Sequence, residues 1–184
     1  MFEQVTLLLS FVYVIALTHL LSSVTDLLLA RDRVKFSGVH ALWMGTTLLA
    51  LFNNWLQASG LRSVVHWTVA KEAWEFTGAI IQYFTCSLVS IRVEPGEAVD
   101  MDAFYLRERK VFMPAMGAAG VFWMIGNYLD GPGSSWILAD LLNLPMLIGV
   151  IVGAVARARW LQWVAALATF GMAVGFLIAI PASG

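Results

Sequence analysis

The stretch "VTLLLSFVYVIALTHLLSSVTDLLLA", residues 5–30, decides the fold class of this chain. Hydrocarbon side chains fill most of it, and a helix of about 20 such residues crosses the ~30 Å apolar core of a bilayer. The run is longer than the roughly 7–15 apolar residues of a signal peptide, and no basic residue precedes it. It therefore predicts a retained membrane-spanning helix, although "LTHLLSSVTD" at 17–26 places polar side chains inside it.

The composition agrees with a membrane location. Of the 184 residues, 60% are hydrophobic and 12% are charged, whereas a soluble domain carries roughly 25% charged residues. So few charges do not cover a water-facing surface, and a net charge of −1 gives no general attraction to nucleic acid. The only cysteine, Cys86, excludes an intramolecular disulfide. We predict one integral domain over residues 1–184, in a bacterial plasma (inner) membrane because its loops are very short.

Six apolar segments predict an all-α bundle of six transmembrane helices. They cover about 5–30, 37–57, 73–92 (with a possible start at 63), 111–129, 134–156 and 160–180. Between the third and fourth segments, Asp100 or Asp102 is expected to cap a separate short amphipathic helix. Most of the eleven basic residues lie on the first, third and fifth loops, namely Arg31, Arg33, Lys35, Arg92, Arg107, Arg109, Lys110, Arg157 and Arg159. The positive-inside rule then makes those loops cytoplasmic and both termini non-cytoplasmic.

Four polar residues of the first helix share one face. His19, Ser22, Ser23 and Asp26 are spaced by three, one and three residues, which superimposes them at 3.6 residues per turn. An isolated charge at mid-membrane costs at least about 2.5 kcal/mol. We therefore expect this face to point toward other helices or toward water held between them.

A count of about 1.5 Å per residue from the cytoplasmic helix ends gives the relative depth of the other polar residues. His40, Thr47 and Asn54, each seven apart, form a stripe along the second helix. The count places His40 level with Asp26, which predicts a pair, and places Thr47 and Gln82 level with His19. An outer layer follows, formed by Glu72, Glu75, Asn127 and Asp140. Together these residues predict a polar seam across the membrane.

The seam suggests transport of protons or small cations, with His19 as a relay because imidazole changes charge near neutral pH. A second interpretation is a non-transporting accessory or sensory subunit, in which the polar groups only join helices. A third is a metal- or haem-binding redox protein, for which His19, Asp26 and Glu75 are weak metal candidates. No nucleotide-binding, zinc or nucleophile motif is present, so an enzyme is less favoured. No cofactor is assigned, although a metal ion or haem stays open.

The expected partners are the lipid bilayer, a proton or small cation, and a second copy of the chain. The last expectation comes from two glycine pairs, Gly149-xxx-Gly153 and Gly171-xxx-Gly175. This spacing puts both glycines of a pair on one helix face, where another backbone can approach closely. We expect no nucleic acid partner.

Overall fold

Six α-helices make up the fold in the computed structural model, which describes residues 2–58, 61, 67–94, 96–129 and 134–179. The side chains of residues 134–142 and 179 lie outside that description. The helices are α1 (Phe2–Leu29), α2 (Gly38–Gln57), α3 (Val69–Val89), α4 (Met101–Leu129), α5 (Ser134–Val155) and α6 (Arg159–Ala179). The prediction of an all-helical chain with six helices is confirmed.

Side-chain caps explain where three helices begin. The Ser37 hydroxyl accepts a hydrogen bond from the His40 amide at 3.5 Å, and the Thr68 hydroxyl accepts one from the Lys71 amide at 3.2 Å. The Asp100 carboxylate accepts one from the Ala103 amide at 2.9 Å. These caps satisfy amides that have no partner within their own helix.

The prediction of a separate amphipathic helix before the fourth predicted span is wrong. Asp100 caps a single helix that runs from Met101 to Leu129 and passes through Pro114. Met101, Tyr105 and Phe112 are each at most 1% exposed. Because one buried face continues along the whole helix, the amphipathic segment and the predicted fourth span belong to the same helix.

The helices form a closed ring with α2 turned inward. Neighbours around the ring are α1, α3, α4, α5, α6 and α2, and α2 also contacts α3 and α4. A first apolar cluster, near the basic loops, is centred on Trp43, Phe112 and Met113, which are all 0% exposed. A second, between α1 and α3, contains Leu9 and Ala79.

We call the end that carries the first, third and fifth loops the basic end. There, β1 (Val34–Lys35) pairs in parallel with β2 (Val99–Asp100), an element that the sequence did not predict. Lys35 forms an ion pair with Asp100 at 2.8 Å, and Arg159 forms one with Asp102 at 2.8 Å. These contacts join all three loops of the basic end.

The Lys35–Asp100 pair should have a defined pH window. Its hydrogen bond raises the pKa of Lys35 above the ordinary 10.5, and the same bond, with the Ala103 amide, lowers the pKa of Asp100 below 3.8. The pair therefore gives its full stabilisation at pH values between the ordinary pKa values of 3.8 and 10.5. It is lost as the pH falls through the lowered carboxyl pKa, or rises through the raised ammonium pKa.

The measurement is the stability difference between the wild type and Asp100→Asn, followed in detergent as a function of pH. We expect a plateau across neutral pH and a decline at both extremes. Asp32→Asn is the control, because Asp32 is 91% exposed and lies 3.9 Å from Arg31. A plateau that persists below the acid limit would contradict the pairing.

Two helices in the described part of the chain are long and apolar enough to cross a membrane, Phe2–Leu29 and Arg159–Ile178. The other four do not meet that criterion over the same residues. In α2 and α3 the reason is the number of strongly polar residues, among them Asn54, Glu75 and Gln82, which lower the mean hydropathy of these helices. In α5 only the part from Asn143 to Val155 counts as an apolar helix.

Candidate functional site

The half of the bundle away from the basic end contains a partly open cavity of about 160 Å³ that is lined by both polar and apolar side chains. All helices except α1 contribute to its lining. We name it the amide cavity after its polar lining residues, which are Thr47, Asn53, Asn54, Gln57, Gln82, Thr85, Asn127 and Asn143. The remaining lining includes Met116, Trp123 and Phe176. Its polar groups are uncharged, so it offers amide and hydroxyl oxygens without a charged lining side chain.

Gln82 organises the floor of the amide cavity. Its carbonyl oxygen accepts a hydrogen bond from the Asn54 amide at 3.1 Å. Its own amide donates to the Thr47 carbonyl at 3.5 Å, and the Thr47 hydroxyl donates to the Trp43 carbonyl at 2.9 Å. These bonds join α2 to α3 and fix the orientation of the amide groups.

Asn53 contributes an acceptor that lacks a donor. Its side-chain oxygen is buried and has no hydrogen-bond partner among the described residues. Buried polar atoms in proteins are nearly always satisfied, and an exception often marks the place of a water or an ion. The Asn53 oxygen therefore lacks the hydrogen bond that a buried amide oxygen usually accepts.

A second pocket of about 100 Å³ adjoins the amide cavity, and its lining includes a charged side chain. It shares Asn54, Gln57, Trp123 and Asn127 with the amide cavity, and it adds Tyr13, Trp74 and Glu75. Glu75 is 8% exposed, and its carboxylate pairs with Lys71 at 3.1 Å, one helical turn away. We call it the Glu75 pocket. A buried carboxylate requires such a partner, because desolvating a single charge costs several kcal/mol.

The structure thus brings together five of the residues predicted from sequence. Thr47, Asn54, Gln82 and Asn127 line the amide cavity, and Glu75 lines the adjoining pocket. Glu72 is partly buried on the same helix face as Glu75, and its Oε1 has no hydrogen-bond partner among the described residues.

The polar face of α1 is not directed into the seam as expected. Ser23 is buried at the end of α3, where its hydroxyl donates to the Ile91 carbonyl at 2.9 Å and accepts from the Ile91 amide at 2.8 Å. Ser22 and Asp26 are exposed on the outside of α1. The buried stripe of α1 consists instead of Leu9, Tyr13, Ala16, Leu20 and Ser23.

His19 and His40 also lie outside the amide cavity and the Glu75 pocket. His19 is partly exposed, and its Nε2 lies 3.5 Å from the Tyr83 hydroxyl. His40 is 0% exposed, and its Nε2 lies 3.0 Å from the Val89 carbonyl at the end of α3. The predicted pair between Asp26 and His40 is therefore not formed, because His40 points inward to α3 while Asp26 points outward.

The weak metal candidates are not assembled either. No group of three or more histidine, cysteine, aspartate or glutamate side chains able to hold a metal ion occurs within the described residues. His19 and Asp26 lie on α1 outside the Glu75 pocket, so they do not join Glu75 there. Asp140 falls in α5, but its side chain lies outside the described part of the structure.

Several lining residues were not included in the sequence prediction. Gln57 follows Asn54 by one helical turn, and Thr85 follows Gln82 in the same way, so helical periodicity was a usable signal for both. The sequence offered weaker evidence that Asn53 and Asn143 belong to the site, because it showed only that they lie near polar residues already predicted for it. Nothing in their spacing indicates which helix face points inward.

The comparisons leave the family open. No family model, curated protein or solved structure matches the chain. The features of the molecule that bear on function are the cavity, the buried charge beside it and the apolar exterior of the bundle.

Proposed function

We propose that all six helices span a membrane and that the chain binds and moves a small cation, or a proton, through the amide cavity and the Glu75 pocket. The observation that carries the proposal is the buried Glu75 carboxylate beside neutral amide oxygens. Hard cations prefer oxygen ligands. An ionisable group within a membrane bundle marks an ion pathway by default.

The exterior of the bundle supports the membrane part of the proposal. Every helix leaves large apolar side chains exposed, among them Leu7, Phe11, Phe52, Phe84, Val121, Ile148, Ile151, Leu167 and Ile178. A soluble monomer rarely exposes an apolar surface so extensive. A bilayer covers such a surface on all sides, whereas Thr47 of α2 and Gln82 of α3 are buried in the interior.

The same proposal places the basic end in the cytoplasm and both termini outside. We expect Ser134→Cys to react with an impermeant thiol reagent added outside intact cells, and Ala158→Cys to react only after permeabilisation. Both are made in a Cys86→Ser background, although Cys86 itself is 0% exposed. The opposite labelling pattern would invert the orientation, and external labelling of both would refute the spanning of α5.

In this proposal, cation binding depends on Glu75 and not on His19, which the sequence suggested as the relay. A cation in the Glu75 pocket competes with the Lys71 ammonium for the carboxylate, and the amides of Asn54 and Asn127 supply neutral ligands nearby. The cluster around Trp43 and Met113 closes the cavity toward the basic end. Release to the cytoplasm in this proposal therefore requires that cluster to separate.

Cation binding is tested by thermal unfolding in detergent, with NaCl and KCl compared with choline chloride at equal ionic strength. A ligand at 100 times its dissociation constant stabilises the folded form by about 2.7 kcal/mol. We expect saturable stabilisation of the wild type by one of these cations and none of Glu75→Gln. Asp26→Asn is the matched control, because it removes an exposed carboxylate from α1. Equal stabilisation of all three proteins would contradict a site at Glu75.

The second candidate function is an accessory subunit without transport. The dense packing at the basic end favours it, since Trp43, Phe112 and Met113 leave no exposed surface. Of the two glycine pairs, only Gly171 and Gly175 are left for the proposed contact with a second copy, and the expected contact through Gly149 and Gly153 is not possible. A Cβ on Gly153 would lie 2.8 Å from Trp43, so that face is filled within the chain, whereas Gly171 and Gly175 have nothing within 4 Å.

A further inference from the structure

An apolar groove of about 330 Å³ runs between α1 and α2 toward the basic end. Its floor is buried: Leu20 and Met101 are each 1% exposed, and Met44 is 5% exposed. Its rim is open, because Leu28 is 64% and Phe36 is 70% exposed. The groove is therefore open toward the outside of the bundle and closed toward its interior, and it shares no lining residue with the amide cavity or the Glu75 pocket.

The dimensions of the groove suit one leaflet of a bilayer. From Leu20 to Leu28 the rise of α1 is about 12 Å, and half of the hydrocarbon core is about 15 Å. Apart from Arg31 at the basic end, every lining residue is uncharged. A long apolar groove with one positively charged side chain at the end near the membrane surface matches an anionic lipid in shape and charge.

Arg31 is available to an anionic headgroup. Its neighbours have closer partners, since Lys35 is paired with Asp100 at 2.8 Å and Arg33 donates to the Glu97 carbonyl at 3.5 Å. The contact of Arg31 with Asp32 is 3.9 Å long and exposed, with 82% of the arginine side chain accessible. Such an exposed pair contributes little, whereas guanidinium and phosphate form strong bidentate hydrogen bonds.

We infer that the groove binds one acyl chain of an anionic phospholipid from the leaflet at the basic end, with the lipid phosphate on Arg31. The inference rests on the proposed membrane location and not on transport. Water is disfavoured in a channel with so few polar groups. A basic residue beside the membrane surface adds a preference for anionic lipid.

The test is competitive lipid retention by the purified full-length chain in detergent, read by native mass spectrometry. Phosphatidylglycerol and phosphatidylcholine with identical acyl chains are supplied in equal amounts. We expect a preference of about fivefold for phosphatidylglycerol in the wild type and its loss in Arg31→Gln. Arg92→Gln removes an exposed arginine that lies outside the groove, and it should keep the preference.

Blocking the groove gives the second arm of the test. Ala41→Phe adds bulk to the α2 wall and should lower retention of both lipids. If that variant misfolds, Arg31→Gln still tests the proposal, because the side chain at position 31 is exposed and does not enter the core. An unchanged preference in Arg31→Gln, or an equal loss in Arg92→Gln, would overturn the proposal. Glu75→Gln should retain the lipid preference, so failure of the transport proposal is recognised separately.

Discussion

Gly153→Leu should destabilise the fold by about 3 kcal/mol, the upper part of the range for overpacked cores. A Cβ at this position would lie 2.8 Å from the Trp43 ring and 2.9 Å from the Met113 methyl group. Trp43 and Met113 are both 0% exposed, so neither has free space to enter. The leucine therefore forces α5 away from α2 and α4 at the centre of the first apolar cluster.

Gly171→Leu is the matched control for that variant. It makes the same chemical change one helix later, where an added Cβ meets nothing within 4 Å. Chemical or thermal unfolding in detergent, at a low ratio of protein to detergent, should find its stability close to that of the wild type. Equal destabilisation by both variants would mean that Gly153 is not at a close contact of α5 with α2 and α4.

Hydropathy was sufficient to predict the number of helices and the bounds of some of them. The predicted segments 37–57 and 134–156 differ from α2 and α5 by one residue at an end, because each apolar run ends at turn or charged residues. The fourth helix was predicted to begin near 111 and begins at Met101. There the charged residues Arg107, Glu108, Arg109 and Lys110 hid a buried face that continues through Tyr105 and Phe112.

Depth alone was not sufficient to predict the site. Counting the rise per residue placed Thr47 and Gln82 at about the same depth and Asn54 two turns farther along α2, and all three line the amide cavity. Depth fixes only the position along a helix, whereas contact also requires the rotation of that helix about its axis. The sequence gives that rotation poorly for α1, so the prediction that Asp26 faces His40 is wrong.

Ser23 shows why helix rotation is hard to infer. Its hydroxyl satisfies both the amide and the carbonyl of Ile91, just beyond the end of α3. This contact, together with Ala16 and Leu20, turns α1 so that Ser22 and Asp26 point outward. The partner is a backbone group 68 residues away, and the spacing of polar side chains carries no information about it.

Loss of flux in Glu75→Gln is the second large effect that we expect. The substitution keeps the size of the side chain and removes its charge, so the pocket persists while the group that attracts a cation is lost. A 1.4 kcal/mol loss of binding free energy lowers affinity tenfold, and hydrogen bonds to charged groups contribute about 1.5–3 kcal/mol. We therefore expect flux to fall at least about tenfold at low cation concentration.

The most direct test of the proposed function is flux in liposomes that contain the wild type, Glu75→Gln or Asp26→Asn at equal protein content. Imposed gradients of Na⁺, K⁺ and pH are followed in separate experiments. The proposed function predicts flux of one of these ions above empty liposomes in the wild type, nearly unchanged flux in Asp26→Asn, and loss of flux in Glu75→Gln. Equal flux through all three proteins, or wild-type flux no greater than that of empty liposomes, would contradict it.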